Sequence, residues 1–307
     1  MSRDGGAARR LAAVVLNYRT PDLTLACARS LAASARPVDL LVVVDNGSGD
    51  GSEARLREGL PAATVLQAGA NLGFSAGSNL GIRAALAADT ALLFLVNSDV
   101  EVAPECLGRL EATLASWPDL GIAGPAVLSR DEPGVVETLG ASFSPVTGRM
   151  RHRGFGRRVE VGTLGGCREV DAVSGCAMLV RREVFERAGF LCDEYFFSFE
   201  DLDFCLRARR AGFRTACVED AVVHHQGSRT IEPASPRRLY FATRNHLLLA
   251  RRAAPLPVPL ATLRGAWIVA LNVAHALARS RVPAGPGLAA VGRGVRDHLG
   301  GRYGDGG

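Results

Sequence analysis

Through the first hundred positions, unbroken apolar runs alternate with stretches in which apolar residues recur every three or four places. Leu11–Leu16 is one such run, with the length of a buried strand. Pro21–Ala33 then sets Leu23, Ala26, Cys27 and Leu31 at helical spacing, with Asp22 in the first turn. Leu40–Val44, Ala63–Leu66 and Ala91–Val96 predict three further strands, separated by helices over Ser52–Leu60 and Ser78–Ala87. Buried strands joined by helical crossovers predict an α/β fold, a mostly parallel central sheet with helices on both faces. The polar clusters fall at the carboxyl ends of these strands, where open α/β sheets bind ligands.

Past residue 120 the pattern loosens. Arg149–Arg158 (RMRHRGFGRR) reads as a mobile basic loop, Ala172–Val180 as a strand and Arg182–Arg187 as a helix. A further helix starts in FFSFEDLDF and closes at Gly212. From Ile231 the chain reads as a helical tail broken by Pro255, Pro257 and Pro259. The expected organisation is a flexible N-terminus (1–10), a single domain over 11–230 and a basic helical extension over 231–307. The run after Arg9 and Arg10 is too short for a signal peptide, and no cleavage site follows it. Ala266–Ala278 is apolar, but it contains Asn272 and His275 and lies between Arg264 and Arg279. That length falls short of a bilayer span and leaves a core or interfacial helix.

The composition agrees with one large domain. In 307 residues, 48% are apolar and 22% charged, enough to bury a sizeable core and too apolar for wholesale disorder. Seven scattered cysteines with no CxxC pair read as reduced thiols of a cytosolic protein. All 36 basic residues are arginine, which excludes a catalytic lysine and a Walker-type phosphate loop. Residues 231–307 hold 11 arginines against Glu232, Asp297 and Asp305, a net +8, whereas the rest of the chain is mildly acidic. A basic tail on an acidic body points to an anionic partner, phospholipid or nucleic acid.

Five segments carry candidate chemistry. VVVDNGSGDGS puts Asp45 and Asn46 at a strand end, either as an Asx-rich turn or as a carboxylate that accepts the imide N–H of a pyrimidine. LFLVNSDVEV puts Asp99 just beyond a strand, either as a helix N-cap or as a ligand for a hard divalent cation facing a diphosphate. FFSFEDLDFCLRARRAG sets Glu200, Asp201 and Asp203 at a helix start. Ser198 would cap that helix and the acids would suit its dipole, or an apolar setting would raise a carboxyl and make a base. AVVHHQGS offers His224 and His225 as structural histidines or as a ligand. NLGFSAGSNLGI contains GFSAG but has no strand directly before Ser75. That favours glycine-rich backbone approaching a phosphate or sugar over a nucleophile elbow.

In order and spacing, VVLNYRTPD, VVVDNGSGDGS, NLGFSAGSNLGI, LFLVNSDVEV, SGCAMLVRREVFERAGF, FFSFEDLDFCLRARRAG and VVHHQGS resemble glycosyltransferase family 2 from about residue 11 to 250. The likeness is greatest to bacterial rhamnosyltransferase-like members that build cell-wall or surface polysaccharide. It implies a GT-A fold, a nucleotide-sugar donor and inversion at the anomeric carbon. It places Leu16 and Tyr18 beside the nucleotide, Asp45 on the pyrimidine and Asn71 near the donor. Asp99 becomes the surviving acid of a DxD motif that here reads Asn97-Ser98-Asp99. Asp201 matches the base, Glu200 lies near the acceptor, and His224, in preference to His225, joins Asp99 on Mg²⁺ or Mn²⁺. The implied partners are a UDP- or dTDP-sugar, a glycan or polyprenyl-linked acceptor, and the cytoplasmic face of an anionic membrane. Two other readings are weaker. A sugar-nucleotide pyrophosphorylase needs a lysine, and a nucleic-acid binder needs aromatics interleaved with the basic residues, where only Phe155 and Tyr240 qualify.

Overall fold

The computed structural model describes residues 9–227 and 234–306. The first half runs β1 (Leu11–Asn17), α1 (Pro21–Ala32), β2 (Leu40–Asp45), α2 (Ser52–Gly59), β3 (Thr64–Gln67), α3 (Gly73–Ala87), β4 (Leu92–Asn97), β5 (Val100–Val102) and α4 (Cys106–Ser116). Next come β6 (Leu120–Ser129), the short strands β7 (Val136–Thr138), β8 (Ala141–Phe143), β9 (Met150–His152) and β10 (Cys167–Glu169), then β11 (Ala177–Arg181) and α5 (Arg182–Ala188). The chain continues through α6 (Glu200–Arg210), β12 (Arg214–His225), α7 (Pro236–Ala253), α8 (Val258–Ala278) and α9 (Ala284–Leu299).

The main sheet has the order β10-β12-β6-β11-β4-β1-β2-β3. Parallel pairing joins β3, β2, β1 and β4, and again joins β6 to β12; β11 and β10 run against their neighbours. Alternate residues of each strand feed two cores. Ala12, Val14, Val42, Val44, Leu93 and Leu95 pack under α3, α5 and α6. Leu11, Ala13, Val15, Val43, Phe94 and Val96 pack under α1, α2 and α4. Helices cover both faces, as the unbroken apolar strands require.

Several local expectations change. The glycine-rich segment is the first half of α3, not a loop before it, and its small residues serve packing. A Cβ on Gly77 would lie 2.8 Å from Leu16, and one on Gly81 would lie 2.4 Å from Val14. β6 lies in the stretch where the pattern loosened, and β9 occupies part of the expected basic loop. The tail is helical as its periodicity predicts, and α7, α8 and α9 pack together over the aromatic segment before α6. The expected boundary at residue 231 lies outside the described residues, as does most of the N-terminal segment.

α8 is longer than its apolar stretch predicts, with 21 residues. Arg264 does not interrupt it, because the guanidinium turns inward and donates to the carbonyls of Pro145 (2.8 Å) and Ala250 (2.7 Å). By length and composition alone, α8 could cross a bilayer.

Candidate active site

β1, β2 and β4 end in register, with Asn17 opposite Asp45 and Leu16 opposite Asn97, so their polar terminal residues share one edge. Asp45 is 1% exposed and does not reach open space. Its Oδ1 accepts from Asn17 Nδ2 (2.7 Å) and from the Ser48 hydroxyl, and its Oδ2 accepts from Gln67 Nε2 at 2.8 Å. The carboxylate expected at the pyrimidine is buried here and ties together the ends of β1, β2 and β3. Its neighbour Asn46 reaches the cavity instead. Asn46 Nδ2 donates to Asn71 Oδ1 (3.1 Å), and Asn46 Oδ1 accepts from Leu72 N–H (3.1 Å), which fixes the loop leading into α3. Asp45→Ala would strand buried donors at about 1–3 kcal/mol. It is expected to lower Tm by several degrees with little change in donor affinity. Lost donor binding at unchanged Tm would return Asp45 to the nucleotide.

Beyond these strand ends opens a cavity of about 870 Å³. Leu16, Tyr18, Asn46 and Asn71 line one part; Asp99, Glu137 and His225 line another; Phe196–Asp201, Arg237 and Arg238 complete the wall. Asp99 sits in the turn between β4 and β5, 8% exposed. Its Oδ1 lies 3.4 Å from His225 Nε2, and His225 Nδ1 lies 2.7 Å from Glu137 Oε2. Burial alone would push this imidazole down; the carboxylates of Asp99 and Glu137 outweigh that and raise it to about 10. The histidine at Asp99 is thus His225, not His224. Successive strand residues point to opposite faces, and the register of β12 turns His225 to the cavity.

Two buried acceptors with no hydrogen-bond partner, Asn97 Oδ1 and Asp99 Oδ1, stand at this mouth, together with His225 Nε2. A carboxylate and an imidazole this close fit a divalent cation once the ring is neutral. Among the described residues, no cluster of three or more His, Cys, Asp or Glu side chains surrounds such an ion. Phosphate oxygens and water would fill its remaining positions, as is usual for Mg²⁺.

The second acidic group stands at the start of α6. Ser198 does not cap this helix. Phe199 holds the N-cap position at φ 76° after Ser198 at φ 69°, and no side chain caps the first turn. Asp203 forms an ion pair with Arg207 at 2.7 Å inside the core and is structural. Asp201 faces the cavity; its Oδ2 accepts from Gly175 N–H (2.9 Å) and its Oδ1 from Leu202 N–H (2.7 Å). Glu200 is the carboxyl that the apolar setting perturbs. Burial first, and the charge of Asp201 second, raise it to about 8. Its Oε2 has no hydrogen-bond partner. Ser75 is fully buried and donates to the Tyr195 carbonyl at 2.9 Å, so GFSAG is no nucleophile elbow.

Leu16, Tyr18, Asn71, Asp99, Glu200 and Asp201 therefore converge on one cavity, and Asp45 and His224 do not line it. Sequence reasoning missed Glu137, from the short strand VET, and the Arg237-Arg238 pair at the start of α7. The arginine pair was visible only as part of a basic tail. Glu137 carries no local signal.

An acid-lined cavity at the strand ends of such a sheet is the arrangement of a GT-A nucleotide-sugar transferase. The profile described as glycosyltransferase-like family 2 matches residues 8–247, and the chain belongs to that family. It is 30% identical to the N-acetylglucosaminyl-diphospho-decaprenol L-rhamnosyltransferase of Mycobacterium tuberculosis, over 81% of this chain and 88% of that protein. It is 27% identical to a low-salt glycan biosynthesis hexosyltransferase of Haloferax volcanii, over 78% of this chain and 74% of that one. In three dimensions it is similar to a mannosyltransferase of Pyrobaculum calidifontis solved with GDP-Man and Mn²⁺. That likeness has a TM-score of 0.61 at 17% identity, over 97% of this chain and 89% of the other. The fold is GT-A, and the protein is a glycosyltransferase of rhamnosyltransferase-like character.

Proposed function

We propose that the protein is an inverting transferase that moves a sugar, rhamnose foremost, from a UDP- or dTDP-sugar to a hydroxyl of a glycan or polyprenyl-linked acceptor. The products would serve cell-wall or surface polysaccharide. The observation that carries this reading is the placement of Asp99 and Asp201 on the walls of one cavity. In this reading Asp99 would face the donor diphosphate and Asp201 the approaching acceptor hydroxyl. A sugar hydroxyl is a weak nucleophile, and Asp201 is placed to take its proton as attack proceeds. Glu200, beside it, would orient the acceptor. Leu16, Tyr18 and Asn71 would hold the nucleotide. Asp99 and His225 would hold a Mg²⁺ or Mn²⁺ ion, which would supply positive charge to the leaving diphosphate. The L-rhamnosyl group and the N-acetylglucosaminyl-diphospho-decaprenol in the mycobacterial relative's name support the substrate class. A panel of nucleotide sugars with Mg²⁺, scored by thermal stabilisation and then by transfer to a lipid-linked acceptor, tests it. Stabilisation by no nucleotide sugar would sink the reading.

We further propose peripheral attachment to the cytoplasmic membrane face through α8. Leu260, Leu263, Trp267 and Leu277 follow one side of that helix and are 50–67% exposed. No acidic residue occurs from Val258 to Arg296, and Arg279, Arg281, Arg293 and Arg296 lie in that stretch. Each arginine near an anionic surface contributes on the order of 1 kcal/mol. The opposite side of α8 buries Ile268 and Ala276 on protein, so the helix suits lying on a membrane better than crossing it. The protein is expected to sediment with anionic liposomes at low salt, and Leu263→Ser/Trp267→Ser to reduce this. Indifference to anionic liposomes, with a salt-sensitive gel shift on nucleic acid, would reassign the basic tail.

A further inference from the structure

The turn that presents Glu200 and Asp201 is backbone that ordinary side chains rarely adopt. Ser198 and Phe199 are successive non-glycine residues in the left-handed region, at φ 69° and 76°. Such a turn persists only where its surroundings hold it. Here α7 does the holding. Asn245, fully buried, donates from Nδ2 to two carbonyls of the turn, Phe197 O at 2.7 Å and Ser198 O at 3.1 Å. Its amide orientation is set from behind, because Arg244 Nε donates to Asn245 Oδ1 at 3.0 Å. Arg244 is itself fully buried, and donates to the Tyr240 hydroxyl (3.2 Å) and the Glu194 carbonyl (3.3 Å). The next residue, His246, stacks on the Phe199 ring at 5.4 Å and 17°, while its Nε2 donates to Gly148 O at 2.6 Å. Phe199 O in turn accepts the first hydrogen bond of α6, from Asp203 N–H at 3.0 Å.

We propose that Asn245, oriented by Arg244 and flanked by His246, is a positioning residue for Asp201: it clamps the double left-handed turn that aims the carboxylate into the cavity. The C-terminal helices then complete the active site instead of hanging from it. A side chain that fixes two adjacent carbonyls leaves the following residue few directions. Displacing a reacting group by about 1 Å can lower a rate by about 100-fold. The inference rests on the reading of Asp201 as the base.

The test compares wild type, Asn245→Ala, Asp201→Asn and the double variant, with Asn245→Asp as a second, isosteric probe should alanine not fold. Asn245→Ala is expected to lower kcat roughly 10- to 100-fold. Donor KM and donor-induced stabilisation should stay near wild type. In the Asp201→Asn background the same change should add less than about 2-fold, since coupled residues are not additive. Amide exchange at Ser198–Leu202 should quicken in Asn245→Ala while β1 and β4 stay protected. Unchanged exchange, unchanged kcat or full multiplicativity with Asp201→Asn would overturn the clamp. Faster exchange beside a fully active Asp201→Asn enzyme would instead show that the clamp stands and the base is misassigned.

Discussion

Asp201→Asn is expected to turn over roughly 10²–10⁴-fold more slowly than wild type. Donor binding should be intact. The competing account, a carboxylate that merely completes a helix start, gives a different outcome. Asp201 accepts from Gly175 N–H at one oxygen and from Leu202 N–H at the other, and asparagine keeps one of these two acceptors, so the change should cost about 1–3 kcal/mol of stability. A rate loss far beyond that stability loss is the mark of the base. Glu200→Gln is the matched control and should reduce turnover less, with its main effect on acceptor KM. It also has a pH signature. The folded protein raises Glu200 from 4.5 to about 8, so it binds a proton there that the unfolded chain releases. Stability from this group is full below pH 4.5 and is lost as pH rises towards about 8. Glu200→Gln should flatten that decline in a series of melting curves. A folded Asp201→Asn enzyme with near-normal turnover would remove Asp201 from the mechanism.

Removing divalent metal is expected to suppress transfer by at least about 100-fold, because several kcal/mol of leaving-group stabilisation go with it. Asp99→Asn should do the same with metal present. The two histidines separate the geometry from the sequence pattern. His225→Ala should weaken metal activation, whereas His224→Ala, which leaves the cavity lining intact, should not. Rates measured across a Mn²⁺ titration distinguish a shifted metal requirement from a general loss of activity. The chain has no lysine, and among the described residues the arginines that line this cavity are Arg19, Arg237 and Arg238. Full activity in excess chelator, with the metal shown to be gone, would assign the leaving group to those arginines.

Much of this molecule is written in short stretches of chain. Whether Leu11–Asn17 or Leu92–Asn97 is a strand depends on its own apolar run, and the polar residues after each run place Asp99 at the ligand edge of the sheet. The acidic start of α6 is equally local, so Glu200 and Asp201 could be singled out before any contact was known. The order of these segments is what carried the family resemblance.

The remaining choices were tertiary. Whether His224 or His225 faces Asp99 depends on the parity of β12, which pairs with β6 through a register shift between Val218 and Val222. A bulge of that kind breaks the simple two-residue count, so no reading of AVVHHQGS alone could choose. Asp45 looked available to a ligand until Asn17 and Gln67, from two other strands, and Ser48, from the turn after β2, closed around its carboxylate. Glu137 enters the site only because β7 pairs with the C-terminal end of β6, past the residues that pair with β11. The left-handed turn at Ser198 and Phe199 opposes local preference, and Asn245 and His246 stabilise it from more than forty residues away. Near-neighbour chemistry determines elements and strand ends. The direction in which a side chain points at those ends is decided by pairing register and by donors from distant segments, and neither leaves a local signature in the sequence.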